Sequence, residues 1–166
     1  MAAVDLNTVR AAIETHFIAG FGAGIALQSG DILVSQDGLT IKTQSLASSP
    51  DLPVVFYNMA YEPTPNSSWV QCLVSFGANE YLSQGLTTGS QNRVVGLLLA
   101  SIFTPQGVGP GANYVIGKRI RDLYNRVIVS GVFFDAANGP AVLASPVPEG
   151  YFQTQVRVTF EFIEEL

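Results

Sequence analysis

The residues that come closest to a chemical motif are Gly107, Gly109 and Gly111, which separate a predicted strand from a predicted helix. Glycines in this position can cradle a phosphate on the free N–H groups at the helix N-terminus. The spacing is GxGxG, whereas dinucleotide-binding proteins use GxGxxG. Pro110 also removes one of the N–H groups that such a cradle would use. A small nucleotide-binding protein is therefore a minor alternative.

A second phosphate-binding pattern, the end of a P-loop, is approached by Gly117 and Lys118 but is not matched. Arg119 follows where the motif needs Ser or Thr, and the gap between Gly111 and Gly117 is one residue too long. The pair would also lie inside a helix. The sequence contains no zinc-ligand cluster or hydrolase motif, and its carboxylates are scattered. We therefore predict no catalytic residue, no cofactor and no metal ligand, and a protein that is not an enzyme.

The single histidine and the single cysteine are both expected to be structural. His16 falls in the last turn of a predicted N-terminal helix, where an imidazole suits the negative end of the helix dipole. Cys72 lies on the apolar side of a predicted strand, as a small core residue would. One cysteine cannot form an intrachain disulfide.

The composition favours a protein that assembles. Hydrophobic residues make up 48% of the chain and charged residues only 13%, against about 25% in an average globular domain. Because few side chains are strongly solvated, we expect some apolar surface to be buried against other copies or partners. The alternative is a monomer covered by Ser, Thr, Gln and Asn. The net charge of −5 argues against a basic nucleic-acid footprint, and no apolar run is long enough to span a membrane.

The predicted elements are organised around residues 53–77, which form two extended segments separated by a turn with two prolines. In the second segment Val70, Cys72, Val74 and Phe76 face one way and Gln71 and Ser75 the other, which indicates a half-buried strand. The apolar run 93–103 predicts a central strand that is buried on both faces, and the alternation over 152–162 predicts a half-buried closing strand. Apolar residues at helical spacing predict helices over 6–17 and 112–125.

Two further segments complete the predicted fold. Short apolar runs around Asp37 and Gly38 predict a β-hairpin arm over 24–45. The polar stretch 78–92 is interpreted as a long loop. The expected fold class is α+β, with a mixed, mainly antiparallel sheet on which two helices pack, and with residues 1–166 in one domain.

The order of features resembles that of a known family, the lambda-type tail terminator (tail-completion) proteins of long-tailed bacteriophages. After an N-terminal helix, the stretches that carry the resemblance are PVVFYNMAYEP at 53–63, SSWVQCLVSFG at 67–77, NRVVGLLLASIFTPQGVG at 92–109 and YFQTQVRVTFEF at 151–162. The resemblance covers roughly residues 1–20 and 50–166. The segment 24–45 departs from the compact pattern of the family.

The resemblance implies a ring-forming structural protein of the virion. Such a subunit would form a homohexameric ring that caps the head-proximal end of the tail tube and ends tube polymerisation. Its partners would be the tail tube protein and the head-completion (stopper) protein, with double-stranded DNA passing through the lumen without sequence recognition and with no membrane contact. It would be found in the tail or neck, and in the host cytoplasm during assembly. Another neck or tail protein, such as a tube subunit or a stopper, is the alternative.

The candidate interface residues combine aromatic side chains with a basic helix. The arm at 24–45 and the loop at 78–92 are expected to carry partner contacts, and the basic residues of the second helix would meet acidic residues, such as Glu161, Glu164 or Glu165, of a neighbouring subunit. A solvated helix face is the competing interpretation of the basic residues, and a core position that of the aromatic ones. We expect Arg119→Glu to weaken oligomer closure more than the fold. The candidates are Tyr57, Trp69, Tyr81, Arg93, Lys118, Arg119, Arg121 and Glu161.

Overall fold

A computed structural model describes residues 5–22, 52–83, 90–107, 109–143 and 148–165. Within these residues the fold is α+β, as predicted, with two helices and a mixed, mostly antiparallel sheet. The predicted arm at 24–45 lies outside them. The elements are α1 (Leu6–Gly22), β1 (Val54–Phe56), β2 (Trp69–Ser83), β3 (Gln91–Pro105), α2 (Gly111–Tyr124), β4 (Ile128–Val129), β5 (Val132–Phe134), β6 (Asn138–Val142) and β7 (Tyr151–Glu165).

Three long strands form the centre of the sheet. The order is β1-β2-β3-β7-β5-β4, and β6 also pairs with β7. Only the β1–β2 pair is parallel among these strands. Since β3 lies between β2 and β7 and pairs with both along its length, the central position predicted for 93–103 is confirmed. The prediction that both faces are buried is wrong, because every second side chain from Arg93 to Ser101 is partly or fully exposed.

Both helices pack on one face of this sheet, which we call the front face. Helix α1 contributes Val9, Ile13 and Phe17, which recur one turn apart and are buried. Helix α2 contributes Ile116 and Ile120 in the same way. The strand residues in the same cluster are Val70, Cys72, Val94, Leu98, Ala100, Ile102, Val156, Val158, Phe160 and Phe162.

The two helices are also joined to each other by hydrogen bonds. The Tyr124 hydroxyl donates to the Ile13 carbonyl at 2.8 Å, and burial raises the pKa of this hydroxyl above its usual range. Arg119 donates from Nη2 to the Gly20 carbonyl, also at 2.8 Å. His16 contacts the Tyr124 ring edge-on at 5.3 Å between ring centroids, but it lies more than one turn before the end of α1 and not in the last turn, where the sequence predicted it. Helix α1 therefore extends to Gly22, beyond its predicted end near 17, because α2 supports its last turn.

At the centre of the front face, the Phe160 ring packs over Gly96, which has no side chain. A Cβ at this position would collide with the ring of Phe160 on the neighbouring strand. That ring crosses β3 and contacts Phe76 edge-on, with 5.9 Å between centroids, and Phe134 at 5.6 Å. A glycine within a strand is typical of a site where another group approaches closely, and the group that approaches Gly96 is an aromatic ring.

The prediction of a long loop over 78–92 is wrong for the part that the structure describes. Strand β2 continues to Ser83 and β3 begins at Gln91, with Glu80 opposite Arg93 and Tyr81 opposite Asn92. A bulge between Phe76 and Asn79 shifts the register. The ladder satisfies the backbone hydrogen bonds while the side chains of 78–82 face solvent, so polar residues are tolerated in a strand here.

Candidate interaction surfaces

The face of the sheet opposite the helices, the back face, is apolar along its middle. Leu73 of β2 pairs with Leu99 of β3, and Leu97 and Val95 follow on the same side of β3. All four side chains are partly exposed. Because both helices pack on the front face, the described chain leaves this row half-covered.

One end of the back face is covered by the chain itself, in what we call the proximal cluster. Trp69 stacks on Phe103 with ring centroids 4.0 Å apart, and Tyr61 lies against Trp69 at 5.3 Å. Val55 of β1 and Tyr151 of β7 complete the cluster. Only 8% of Trp69 is exposed. In the subunit Trp69 therefore fits the competing interpretation of a core position, because β1 and the segment that follows it fold over the indole.

The other end of the back face carries what we call the distal patch. Leu82, Phe133 and Ile163 are 44–49% exposed there. Together with Arg93 and Glu161 they line a cavity of about 180 Å³, to which Phe162 also contributes. The patch is thus an apolar surface that surrounds charged groups.

The charged groups of the distal patch are paired within the chain. Arg93 donates from Nε and Nη2 to the Glu161 carboxylate, at 2.7 Å each. Glu80 lies further away, 3.8 Å from Nη1 of Arg93, with 74% of its side chain exposed. The structure therefore brings the predicted residues Arg93 and Glu161 together, and adds a second carboxylate, so that the patch has one more negative group than positive.

The basic residues of α2 also have partners within the chain. Lys118 forms an ion pair with Asp122 one turn later, and Arg121 donates to the Gly139 carbonyl at 3.2 Å. Arg119 is half-buried, and its bond to Gly20 links the helices. An Arg119→Glu substitution would break this link, so the fold gives no support to the expectation that it acts mainly on assembly. The contact of these residues with acidic groups of a second subunit stays a prediction.

The exposed side of α2 is more apolar than its charge pattern suggests. Tyr114 and Val115 are exposed near the start of the helix, and Lys118 follows one turn later. We call this surface, with Arg121 and Asp122, the α2 outer face. Tyr114 and Val115, its two apolar residues, do not belong to the row of α2 side chains, including Ile116 and Ile120, that packs on the sheet.

The remaining predicted aromatic residues, Tyr57 and Tyr81, are exposed, as interface residues would be. Tyr57 lies beside Met59 at a cavity of about 300 Å³ that Arg10 and Glu14 also line. Tyr81 lies on β2 opposite Asn92, on the other side of the strand from Glu80, so it is not part of the distal patch.

Sequence reasoning missed the apolar members of the distal patch, although one signal was present. The back-face positions of β7 are polar from Gln153 to Glu161, and Ile163 breaks that alternation. A single exposed apolar side chain is common, but Ile163 clusters with Leu82 and Phe133, and exposed apolar patches mark contact surfaces. Phe133 had no such signal, because its pairing with Glu161 depends on a register that the sequence does not reveal.

Among the described residues, no charged side chain lines the cavity beside the glycine run before α2. The adjoining cavity, of about 220 Å³, is lined in the described residues by Pro105, Gln106, Gly107, Gly109, Pro110 and Phe152, which are all uncharged. Gly117 has a packing role, since a Cβ there would lie 2.8 Å from Cβ of Pro140 on β6.

Other chemical sites were sought among the described residues. These residues contain no group of three or more His, Cys, Asp or Glu side chains that could hold a metal ion. Cys72 is buried, and burial raises the pKa of its thiol. Neither described helix has the length and apolar character needed to cross a membrane.

Comparisons with known proteins support the fold alone. No protein-family model matches the chain, and no curated protein matches it. A solved structure matches over 95% of this chain and 95% of its own, with a TM-score of 0.61 and 12% sequence identity. This chain therefore shares an α+β architecture with that protein over nearly its whole length.

Proposed function

We propose that this protein is a structural subunit of the tail-terminator type, which forms a ring on the head-proximal end of a phage tail tube. The observation that carries the proposal is the back face of the sheet, with a half-covered apolar middle and an exposed distal patch. In a chain with only 13% charged residues, such a surface favours burial against another protein.

The edges of the sheet leave two routes of assembly open. The edge strands of the main order are β1, with three residues, and β4, with two residues. Strand β1 covers only Val70, Gln71 and Cys72 of β2, so the rest of β2 on that side is an edge without a strand partner among the described residues, where a neighbouring chain could add a strand. Subunit contacts would therefore be made by side chains on the sheet faces and helices or by strand addition at β2, and a ring requires such contacts to be heterologous and to close.

In this role the ring would end polymerisation of the tube and present a docking surface to the stopper protein. Its partners would be other copies of the chain, the tail tube protein and the stopper. The net charge of −5 suits a lumen through which DNA passes without being held, since like charges repel. The protein would act in the tail or neck of the virion after assembly in the host cytoplasm.

The alternative within the same class is a tube subunit or a stopper, which would use the same surfaces. The two are distinguished by how assembly ends: a tube subunit forms polymers that lengthen with concentration, whereas a terminator forms a closed ring. The nucleotide-binding alternative would need measurable nucleotide affinity that is lost in Gly109→Val.

Sedimentation velocity of the purified chain tests the proposal first. A discrete closed oligomer near the mass of a hexamer supports it, and a two-fold dimer contradicts it. If the chain is monomeric, purified tail tubes are added, because the ring can require a tube end to assemble. Protein that neither closes into a ring nor arrests tube elongation overturns the proposal.

A further inference from the structure

The α2 outer face combines apolar and basic side chains on one side of a helix. Tyr114 and Val115 supply the apolar part, and Lys118 lies within one turn of both. With Arg121 and Asp122 included, this surface has one more positive group than negative. Exposed apolar side chains beside charges, on one side of a helix, are typical of a helix that docks in a groove.

The distal patch has the complementary chemistry. Its cavity of about 180 Å³ is lined by Leu82, Phe133 and Ile163, so it can accept an apolar side chain. Its charges are two carboxylates against one guanidinium. Arg93 is occupied by Glu161 at 2.7 Å, whereas Glu80 is highly exposed and lies 3.8 Å from the guanidinium, so Glu80 can accept a second cation.

The two surfaces lie on opposite sides of the sheet. Helix α2 packs on the front face, over β3 and β7, and the distal patch lies on the back face of the same strands. Complementary surfaces at different places on a subunit join copies head to tail, and such a contact forms a ring when it closes.

We infer that the distal patch of one copy receives the α2 outer face of a second copy. This inference rests on the proposed ring and identifies its subunit contact. Val115 enters the apolar cavity with Tyr114 at its rim. Lys118 keeps its exposed ion pair with Asp122 and uses a second N–H to pair with Glu80 of the adjacent copy. Each subunit therefore uses α2 on one side and the distal patch on the other.

Cysteine cross-linking tests this contact directly, because Cys72 is buried and leaves little background. Val115→Cys and Ile163→Cys place exposed thiols in the two surfaces. With a bis-maleimide reagent, the double variant should give a ladder of covalent multimers whose highest member counts the copies in the ring. Each single variant should stay monomeric, and a mixture of the two should give dimers only. Ile18→Cys combined with Ile163→Cys is the matched control, since Ile18 is exposed on α1 outside both surfaces.

Charge reversal provides a second measurement. Glu80→Lys should weaken association about tenfold, because it sets like charges against each other across the contact. Adding Lys118→Glu to that variant should recover most of the loss. Thermal unfolding of each variant checks that the subunit itself still folds.

The outcomes separate this contact from the proposed function. A closed ring in sedimentation without a ladder overturns the contact and leaves the ring standing. Cross-linking of Ile163→Cys to itself would indicate a two-fold contact and also overturns the inference. If the chain neither cross-links nor sediments as an oligomer, the contact is wrong, and arrest of tube elongation then decides the proposed function separately.

Discussion

The two ends of the back face share one set of strands but differ in what covers them. At the proximal cluster, Trp69 and Phe103 are covered by Tyr61 and by β1, and they form part of the core. At the distal patch, Phe133 and Ile163 remain exposed, although they are similarly apolar. Apolar character alone therefore does not distinguish core from exposed surface, whereas the path of the chain does. This difference predicts a graded series of effects on stability.

The largest loss is expected on the front face, where the helices and the sheet meet. Phe160→Ala should lower the free energy of unfolding by about 4 kcal/mol, because it removes a fully buried ring and leaves a cavity over Gly96. Urea unfolding followed by circular dichroism measures the loss. A loss below about 1 kcal/mol would show that this ring is not central to the core.

A somewhat smaller loss is expected at the proximal cluster. Trp69→Ala should cost about 3 kcal/mol, since the indole stacks on Phe103 at 4.0 Å and is mostly buried. Trp69→Phe, which keeps an aromatic ring, should cost clearly less. If Trp69→Ala instead left unfolding unchanged and altered the oligomer mass, the proximal cluster would be a contact surface like the distal patch.

A moderate and pH-dependent effect is expected between the helices. Tyr124→Phe removes the hydrogen bond to the Ile13 carbonyl and should cost about 1 kcal/mol near neutral pH. Burial raises the pKa of Tyr124 in the folded state above its unfolded value, so its contribution is complete below the unfolded pKa of about 10 and is lost at higher pH. The stability difference between the parent and the variant should therefore narrow above about pH 10.

The raised pKa of Cys72 adds to the alkaline loss of stability in both proteins. Unfolding curves from pH 7 to 11 would measure the narrowing, with Tyr57→Phe as the control because Tyr57 is exposed. A difference that stays constant across this range would contradict the assignment to Tyr124.

The smallest effect on stability is expected at the distal patch. Ile163→Ser should change the free energy of unfolding by no more than about 0.5 kcal/mol, because the side chain is half-exposed in the subunit. The same variant should weaken self-association in sedimentation. Ile102→Ser, on the buried front face of β3, is the contrasting control and should destabilise the subunit strongly.

Much of the fold could be predicted because the periodicity of apolar residues along the sequence indicates the helices and strands. The alternation from Phe152 to Phe162 identified β7, and the helical spacing of Val9, Ile13 and Phe17 identified α1. The polar stretch 78–83 could not be identified as strand, since its pairing with β3 depends on the partner and not on its own pattern.

The surfaces were harder to predict, because they depend on register between distant strands. Arg93 and Glu161 were both named from the sequence, but their ion pair exists only because β3 and β7 run side by side. Tryptophan is a residue type that is common at interfaces, but Trp69 is buried in the subunit because β1 pairs with β2 and covers it. The exposure of Val115 depends on which side of α2 packs on the sheet, and the sequence does not reveal this.

The central position of β3 has a consequence for the time course of folding. Leu98 pairs with Val74 on one side and with Val158 on the other, so the second ladder must wait for α2 and three short strands to be arranged between β3 and β7. Such distant pairings slow folding to milliseconds or longer, on the order expected for sheets of high contact order. Until β7 docks, the β2–β3 pair presents an unpaired edge along β3, which is the stage at which the chain is most exposed to aggregation.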